Sequence, residues 1–252
     1  MNRPRLSILV ACWNCASQLE QFLASLEEQS WSDWELVLLD NQSTDGTAQL
    51  VEQFCQRLPD AGQRVVWSSE PDSGIYDAWN RGLQLARGVY FAFIGADDTF
   101  LAPESLGLIA ALTATGVDLI TARNAYYASD GRLLRFWGFG WRWKRMRQSM
   151  NIAHPGMLVH RALFDRFGCF DPSFRICGDY EWFLRLPPDL RTVHTSDAIL
   201  KVVQAGISHT RIRQVYAETF RAQQRHLNGG VGAACWVINW LKYARRRVIG
   251  LA

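Results

Sequence analysis

Apolar residues in the first half of the chain fall into short continuous runs. Each run is followed by a segment in which apolar positions recur every three or four residues. The runs at 7–10, 36–39, 65–67, 89–94 and 118–121 have strand length and are bounded by turn residues, which predicts buried strands. Between them, Leu19, Phe22, Leu23 and Leu26 mark one helical face and Leu50, Val51 and Phe54 a second. Segments 75–86 and 105–113 are read as two further helices. Ser17, with Glu20 three residues on, reads as a capping box that opens the first helix. This alternation predicts an α/β fold, a mainly parallel sheet with helices on both faces. Ligands bind such sheets beyond the carboxyl ends of the strands, where Asp40, Asp97 and Asp98 fall.

From 122 to 150 the periodicity fails, and it returns at 160–167 and 179–186. Beyond about Thr210 two helices are expected, separated by Asn228-Gly229-Gly230. Composition adds bounds. Apolar residues make up 48% of the 252 residues, enough for a large core. The net charge of +3 is too small to argue for a nucleic-acid partner, and none is expected. No apolar stretch reaches the roughly 18–20 residues of a membrane span. The opening residues run straight into the first strand, so no signal peptide is read and a cytoplasmic location is expected. The six cysteines are then thiols, and Cys12-Trp13-Asn14-Cys15 is read as two small core or loop residues rather than a redox pair.

Four elements offer chemistry. Asp40-Asn41-Gln42-Ser43-Thr44-Asp45-Gly46-Thr47 sets two carboxylates among hydroxyls and amides at a strand end, suited to a base and a ribose, or simply to capping a helix. Ser73-Gly74 opens a helix that carries Asp77, Asn80 and Arg81, a place for a diphosphate or an ordinary capped helix. The neighbouring acids Asp97 and Asp98 repel each other unless a cation stands beside them. A hard divalent ion, which completes its shell with phosphate and water, is the natural partner; taken alone, the pair reads as two exposed acids capping the next helix. Asp179, at a helix start, suits a general base or a cap.

Together, and in this order, these elements resemble the inverting family 2 glycosyltransferases of GT-A fold. Further landmarks are His154-Pro155-Gly156, Gly168-Cys169-Phe170-Asp171 and Gly178-Asp179-Tyr180. The look is that of bacterial members building surface polysaccharides. The resemblance runs from about Leu6 to about Ser208. It implies a GT-A domain at 1–208, with a nucleotide-binding half at about 1–100 and an acceptor half at about 101–208, and a helical tail at 209–252. It also implies a nucleotide diphosphate-sugar donor, UDP by preference, and a saccharide or lipid-linked acceptor. Asp40 takes the role of reading the base, with Ala11 and Asn14 lining the same pocket. Asp98 becomes the ligand for Mn²⁺ or Mg²⁺, Asp97 the contact to ribose or sugar, and Asp179 the catalytic base. Ser73, Asp77, Asn80 and Arg81 are placed along the donor, and His154 either joins them at the diphosphate or sugar or is a turn histidine held by Pro155-Gly156. The departure is Gly178, where many relatives carry an acid. Two alternatives stand beside this reading. One is a sugar-nucleotide nucleotidyltransferase, although Cys12-Trp13-Asn14-Cys15-Ala16-Ser17 offers neither the glycine nor the base of its usual loop. The other is a non-catalytic nucleotide-sugar or lipid-binding module.

The stretch from Arg135 to Arg147 mixes tryptophan, arginine and lysine, a chemistry suited to a membrane surface, to stacking on sugar rings or to RNA. The tail from Trp236 to Arg247 has similar composition on an expected amphipathic helix.

Overall fold

The computed structural model describes residues 3–58, 60–204, 206–227, 230, 234–235 and 237–241. The chain begins β1 (Leu6–Cys12), α1 (Ala16–Glu27), β2 (Trp34–Asp40), α2 (Thr47–Arg57), α3 (Ala61–Arg64) and β3 (Val65–Ser69). It continues through α4 (Ile75–Leu85), β4 (Tyr90–Gly95), β5 (Thr99–Phe100), α5 (Ser105–Ala111) and β6 (Leu119–Tyr127). There follow β7 (Leu133–Trp137), α6 (Trp143–Met146), β8 (Leu158–His160), α7 (Arg161–Phe167) and α8 (Gly178–Phe183). The described part closes with β9 (Thr192–Val203), α9 (Ile207–Thr210), α10 (Ile212–His226) and helical turns at 237–241.

The strands form one sheet in the order β3-β2-β1-β4-β8-β6-β9-β5, with β7 paired to β6. The first four are parallel, as the alternation predicts. β8 then runs antiparallel to both β4 and β6, while β9 is parallel to β6, so the sheet is mixed but mostly parallel. Successive strand side chains point to opposite faces. Leu9, Val37, Leu39, Phe91 and Phe93 therefore join one core with α4, α7 and α8. Ile8, Val10, Leu36, Leu38 and Ile94 join the other with α1, α2 and α5. Every residue of β2 is buried, which is why it reads as an unbroken apolar run. From β1 the chain steps outward to β2 and β3 and then returns to β4 on the other side of β1. The carboxyl ends of β1 and β4 thus form a topological switch point, the usual place for a ligand in an open α/β sheet.

Three local readings are corrected. There is no capping box at Ser17: α1 starts at Ala16, and the Ser17 hydroxyl bonds the neighbouring Gln18 side chain. The Ala16 N–H is instead taken by Asp45 from across the sheet edge, at 2.9 Å. The stretch 122–150 is not irregular throughout, because β6 runs on to Tyr127 and pairs with β7. The strand β9 was not anticipated; its polar residues sit on half-exposed positions that hide the period of two. Asn228, Gly229, Trp236 and residues 242–252 lie outside the described residues, so the turn between the tail helices and most of the basic tail do as well. Among the described residues, no helix is long and apolar enough to cross a membrane.

At the amino ends of the strands, a buried carboxylate fixes β1, β2 and β4 together. Glu35, fully buried, accepts from the Ser7 hydroxyl at 2.6 Å, the Gly88 N–H at 3.1 Å, and Arg87 through both its backbone N–H and its guanidinium. Removing one partner of such a network strands the others in a dry core. Glu35→Ala is expected to lower stability by about 3 kcal/mol. A urea unfolding curve checks this, and an unchanged midpoint would contradict it.

Candidate active site

The site is assembled at the carboxyl ends of β1, β2 and β4. Ala11 pairs with Leu39 on one side and Gly95 on the other, so it lies between the strand ends that carry Asp40 and the Asp97–Asp98 pair. Asp40 is 1% exposed and already accepts three hydrogen bonds: from the Ser43 N–H at 3.0 Å, the Ser43 hydroxyl at 2.5 Å and the Ser69 hydroxyl at 2.6 Å. A carboxylate offers about four acceptor positions, so about one remains. Asn14 has a left-handed backbone with φ of 47°. Its side-chain oxygen accepts from the Thr44 N–H, and its own N–H donates to the Ser43 hydroxyl. The loops after β1 and β2 are thereby stitched into one wall.

The start of α4 is crowded with acid. Asp72 accepts from the Gly74 N–H, and Asp77 accepts from both the N–H and the hydroxyl of Ser73. Those two N–H groups are satisfied within the chain. The Arg81 guanidinium donates to the Glu70 carbonyl at 3.2 Å, while its Nε and Nη2 are buried without a partner among the described residues. Asn80 is engaged within the chain. Its amide accepts from the Phe170 N–H at 2.9 Å and donates to the Phe170 carbonyl at 2.8 Å, clamping α4 to the loop before α8.

Asp97 is exposed, whereas Asp98 is 4% exposed. The Asp98 carboxyl accepts from the Gly95 N–H at 3.0 Å. Burial, with Asp97 adding repulsion, pushes its pKa up to about 8. Among the described residues no three His, Cys, Asp or Glu side chains converge as a metal cage. The donor set nonetheless fits a Mg²⁺- or Mn²⁺-type ion, which is held by one or two carboxylates and takes its other ligands from phosphates and water.

Asp179 sits in the first turn of α8, one residue inside the helix, and so it is not the cap; Cys177 holds that position. Its carboxylate lies 3.1 Å from the Tyr76 hydroxyl and 4.0 Å from His154 Nδ1. His154 is 9% exposed and stacks on Phe93 at 5.7 Å. Burial holds its imidazole below the usual range, against the opposing pull of Asp179, and its Nε2 is buried without a partner among the described residues.

Tyr76 was not singled out from the sequence, yet it explains Gly178. A Cβ at Gly178 would stand 2.8 Å from the Tyr76 ring. That ring is packed against Trp79 and Phe170, and its hydroxyl also reaches the Ile176 carbonyl at 2.7 Å. The volume that a side chain at 178 would fill belongs here to tyrosine. Glu218 was missed as well. This buried residue of α10 accepts from the N–H groups of Arg175, Ile176 and Cys177, the residues leading into α8. Burial pushes its carboxyl up, but these N–H bonds outweigh it and leave the group below its ordinary value. Cys12 is a core residue, and Cys12 and Cys15 are both free thiols.

The family model described as glycosyl transferase family 2 matches residues 7–169. This chain belongs to that family. A PGL/p-HBAD biosynthesis glycosyltransferase of Mycobacterium bovis is 32% identical over 187 residues, which are 73% of this chain and 70% of that protein. The fold matches that of TarS 1-349 from S. aureus, with a TM-score of 0.73 at 20% identity over 96% of this chain and 73% of that one. The same fragment in complex with UDP-GlcNAc matches at 0.69, with 20% identity over 92% and 70% of the two chains. The mannosyltransferase PcManGT from Pyrobaculum calidifontis, in complex with GDP-Man and Mn²⁺, matches at 0.66 with 18% identity over 98% and 76%. This family 2 protein is accordingly a glycosyltransferase enzyme of mixed α/β, GT-A architecture, which sets aside the nucleotidyltransferase and the non-catalytic module.

The packing of Tyr76 into the space over Gly178 is testable in this transferase. Gly178→Ala is expected to cost about 1–3 kcal/mol, the range for overfilling a packed core. Most of the loss should return when Tyr76→Ala is added. A denaturant series on the single and double variants measures the coupling, and additive losses would contradict it.

Proposed function

We propose that this enzyme is an inverting transferase that moves a sugar from a nucleoside diphosphate donor, UDP by preference, to an acceptor hydroxyl in the building of a surface glycan or glycolipid. The observation that carries this reading is Asp179. It is an acid on a buried helix start, held between the Tyr76 hydroxyl and His154, with its side chain still 20% exposed. The relatives' names and the UDP-GlcNAc complex of a structural neighbour support the donor class and the biosynthetic setting.

In this mechanism Asp40 uses its remaining acceptor position on the base, beside Ala11 and Asn14. Asp97 meets the ribose or sugar. Arg81 and the unpartnered His154 Nε2 face the diphosphate and sugar, and Ser73 and Asp77 shape the wall beside Arg81. Asp98 would hold the divalent cation, Mn²⁺ or Mg²⁺, which when bound would supply a Lewis acid beside the diphosphate. Asp179 takes the proton of the acceptor hydroxyl as that oxygen bonds to the anomeric carbon. The bond from that carbon to the diphosphate breaks on the opposite face. Residues 1–208 form the catalytic part of this reading, and α10, beyond it, braces the start of α8 through Glu218.

Asp179→Asn is expected to reduce transfer by a factor of at least about 100, the usual worth of a general base, while donor binding stays intact. Asp98→Ala is expected to abolish transfer and to weaken metal-dependent donor binding. Both are read by product formation and calorimetry, and full transfer by Asp179→Asn would remove the base assignment.

We also propose a peripheral contact with the inner face of the membrane. Leu133, Leu134, Phe136 and Phe139 are exposed on and beside β7, with Arg132 and Arg135 among them. Apolar side chains with interspersed cations suit an anionic bilayer surface. The protein is expected to sediment with vesicles rich in phosphatidylserine at low salt and to be released at high salt. Absence of binding at low salt contradicts the contact.

A further inference from the structure

Two cysteines flank the turn after β1, and by spacing alone they read as small core or loop residues. Their placement adds more. Cys12 ends β1, is 3% exposed, pairs with Asp40 of β2 and accepts the Asn41 N–H at 3.0 Å through its carbonyl. Cys15 is half-buried at the cap position of α1, where its side chain makes no capping bond. It packs against the core to which Cys12 belongs, and both thiols are free. The two side chains meet, with the Cys12 S–H donating to the Cys15 sulfur.

This contact makes the two sulfurs unequal. The hydrogen bond from Cys12 holds the Cys15 thiol below its ordinary value, against burial and the nearby charges of Asp45 and Asp40. The same hydrogen bond, joined by burial, pushes the Cys12 thiol well up. The more accessible sulfur, at a helix start, is thus the readier thiolate, and a buried thiol stands behind it. An accessible thiolate with a second thiol in reach is the arrangement that favours disulfide formation over further oxidation.

Sulfurs in hydrogen-bonding contact must close to about 2 Å to form a disulfide. β1 cannot yield, because β2 and β4 pair with it on either side. α1 is anchored by the buried Leu19, Phe22, Leu23 and Leu26. The piece left to adjust is Trp13-Asn14, both exposed. Asn14 donates its N–H to the Ser43 hydroxyl at 2.8 Å and accepts the Thr44 N–H at 2.9 Å, and the Ser43 hydroxyl in turn donates to Asp40. A pull on this turn therefore reaches Asp40 through two hydrogen bonds.

We propose that Cys12 and Cys15 are a dithiol that a hydroperoxide converts reversibly into a disulfide, and that the new bond, by pulling on the turn that carries Asn14, loosens the wall around Asp40. The Cys15 thiolate attacks the peroxide, so that an S–O bond forms, the O–O bond breaks and an alkoxide leaves to take a proton from solvent. The Cys12 sulfur then displaces the hydroxyl from Cys15: the S–S bond forms, the S–O bond breaks and water departs with the Cys12 proton. Two thiols and one hydroperoxide thus give one disulfide, one alcohol and one water. Two electrons pass from sulfur to oxygen, and an added dithiol reverses the change by exchange. The consequence for donor binding rests on the reading of Asp40 as the base contact.

The test uses the full chain, reduced or treated with one equivalent of tert-butyl hydroperoxide. Peptide mapping by mass spectrometry should find a disulfide between Cys12 and Cys15 that dithiothreitol removes, and Cys15→Ser and Cys12→Ala should each abolish it. Oxygen addition at these sulfurs without the disulfide overturns the site. Hydrogen exchange at the Thr44 amide, which Asn14 holds, should be at least about tenfold faster in the oxidised protein and unchanged by the peroxide in Cys15→Ser. Equal exchange in the oxidised and reduced proteins overturns the coupling. UDP with Mn²⁺, followed by calorimetry, should bind the oxidised protein at least about tenfold more weakly than the reduced one, with Cys15→Ser unaffected by the peroxide. The mapping and the exchange decide the proposal without any nucleotide. Failure of the reduced protein to bind UDP would therefore count against the donor-site reading alone.

Discussion

The loop edge of the sheet gathers more negative charge than one surface would hold unaided, and the site depends on how each carboxylate is answered. Asp40 is answered by two serine hydroxyls and an N–H. Asp45 is answered by the N–H groups of Ala16 and Thr47 and by the Thr47 hydroxyl, and Asp77 by Ser73. Asp98, buried beside Asp97, receives the Gly95 N–H and little else to set against its loss of water. Asp98, whose ionised form the fold leaves poorly compensated, stands at the switch point of the sheet, where a ligand is expected on topological grounds. A cation carried in with a diphosphate would supply what is missing.

The other half of the site follows from packing. Tyr76 occupies the volume over Gly178, and that contact ties α4, whose far face carries Arg81, to α8, whose first turn carries Asp179. Asn80 adds a second tie through Phe170 and Glu218 a third through α10. Asp179 is therefore positioned from two helices, α4 and α10, that are remote from each other in sequence. Side chains held in this way lose little freedom when a substrate arrives, which is what preorganisation requires.

Much of this was legible in the sequence. The apolar runs gave β1, β2 and β4 because strands buried on both faces carry no competing polar pattern, and the short run 65–67 gave the half-buried β3. The acids at their ends marked the site edge because those ends lie together in a parallel sheet. What was not legible depends on distant partners. The capping box at Ser17 failed because Asp45, far along the chain, takes the Ala16 N–H. The partner of Asn80 was hidden as well, because nothing local shows that Phe170 engages both ends of its amide. Tyr76 and Glu218 carried no motif at all; the signal that could have found Tyr76 was the missing side chain at Gly178, a vacancy that something had to fill. β9 escaped notice because a half-exposed strand with threonine, histidine and aspartate keeps no clean alternation.

The central claim is that Asp98 and a donor diphosphate share one divalent cation at the switch point. Calorimetric titration of the protein with UDP-, GDP- and dTDP-sugars, with and without Mn²⁺, tests it most directly. The account predicts binding of one nucleotide class, UDP-sugars first, that strengthens at least tenfold when Mn²⁺ is present. Binding of equal strength with the metal removed, or no binding of any nucleotide sugar under either condition, would contradict it.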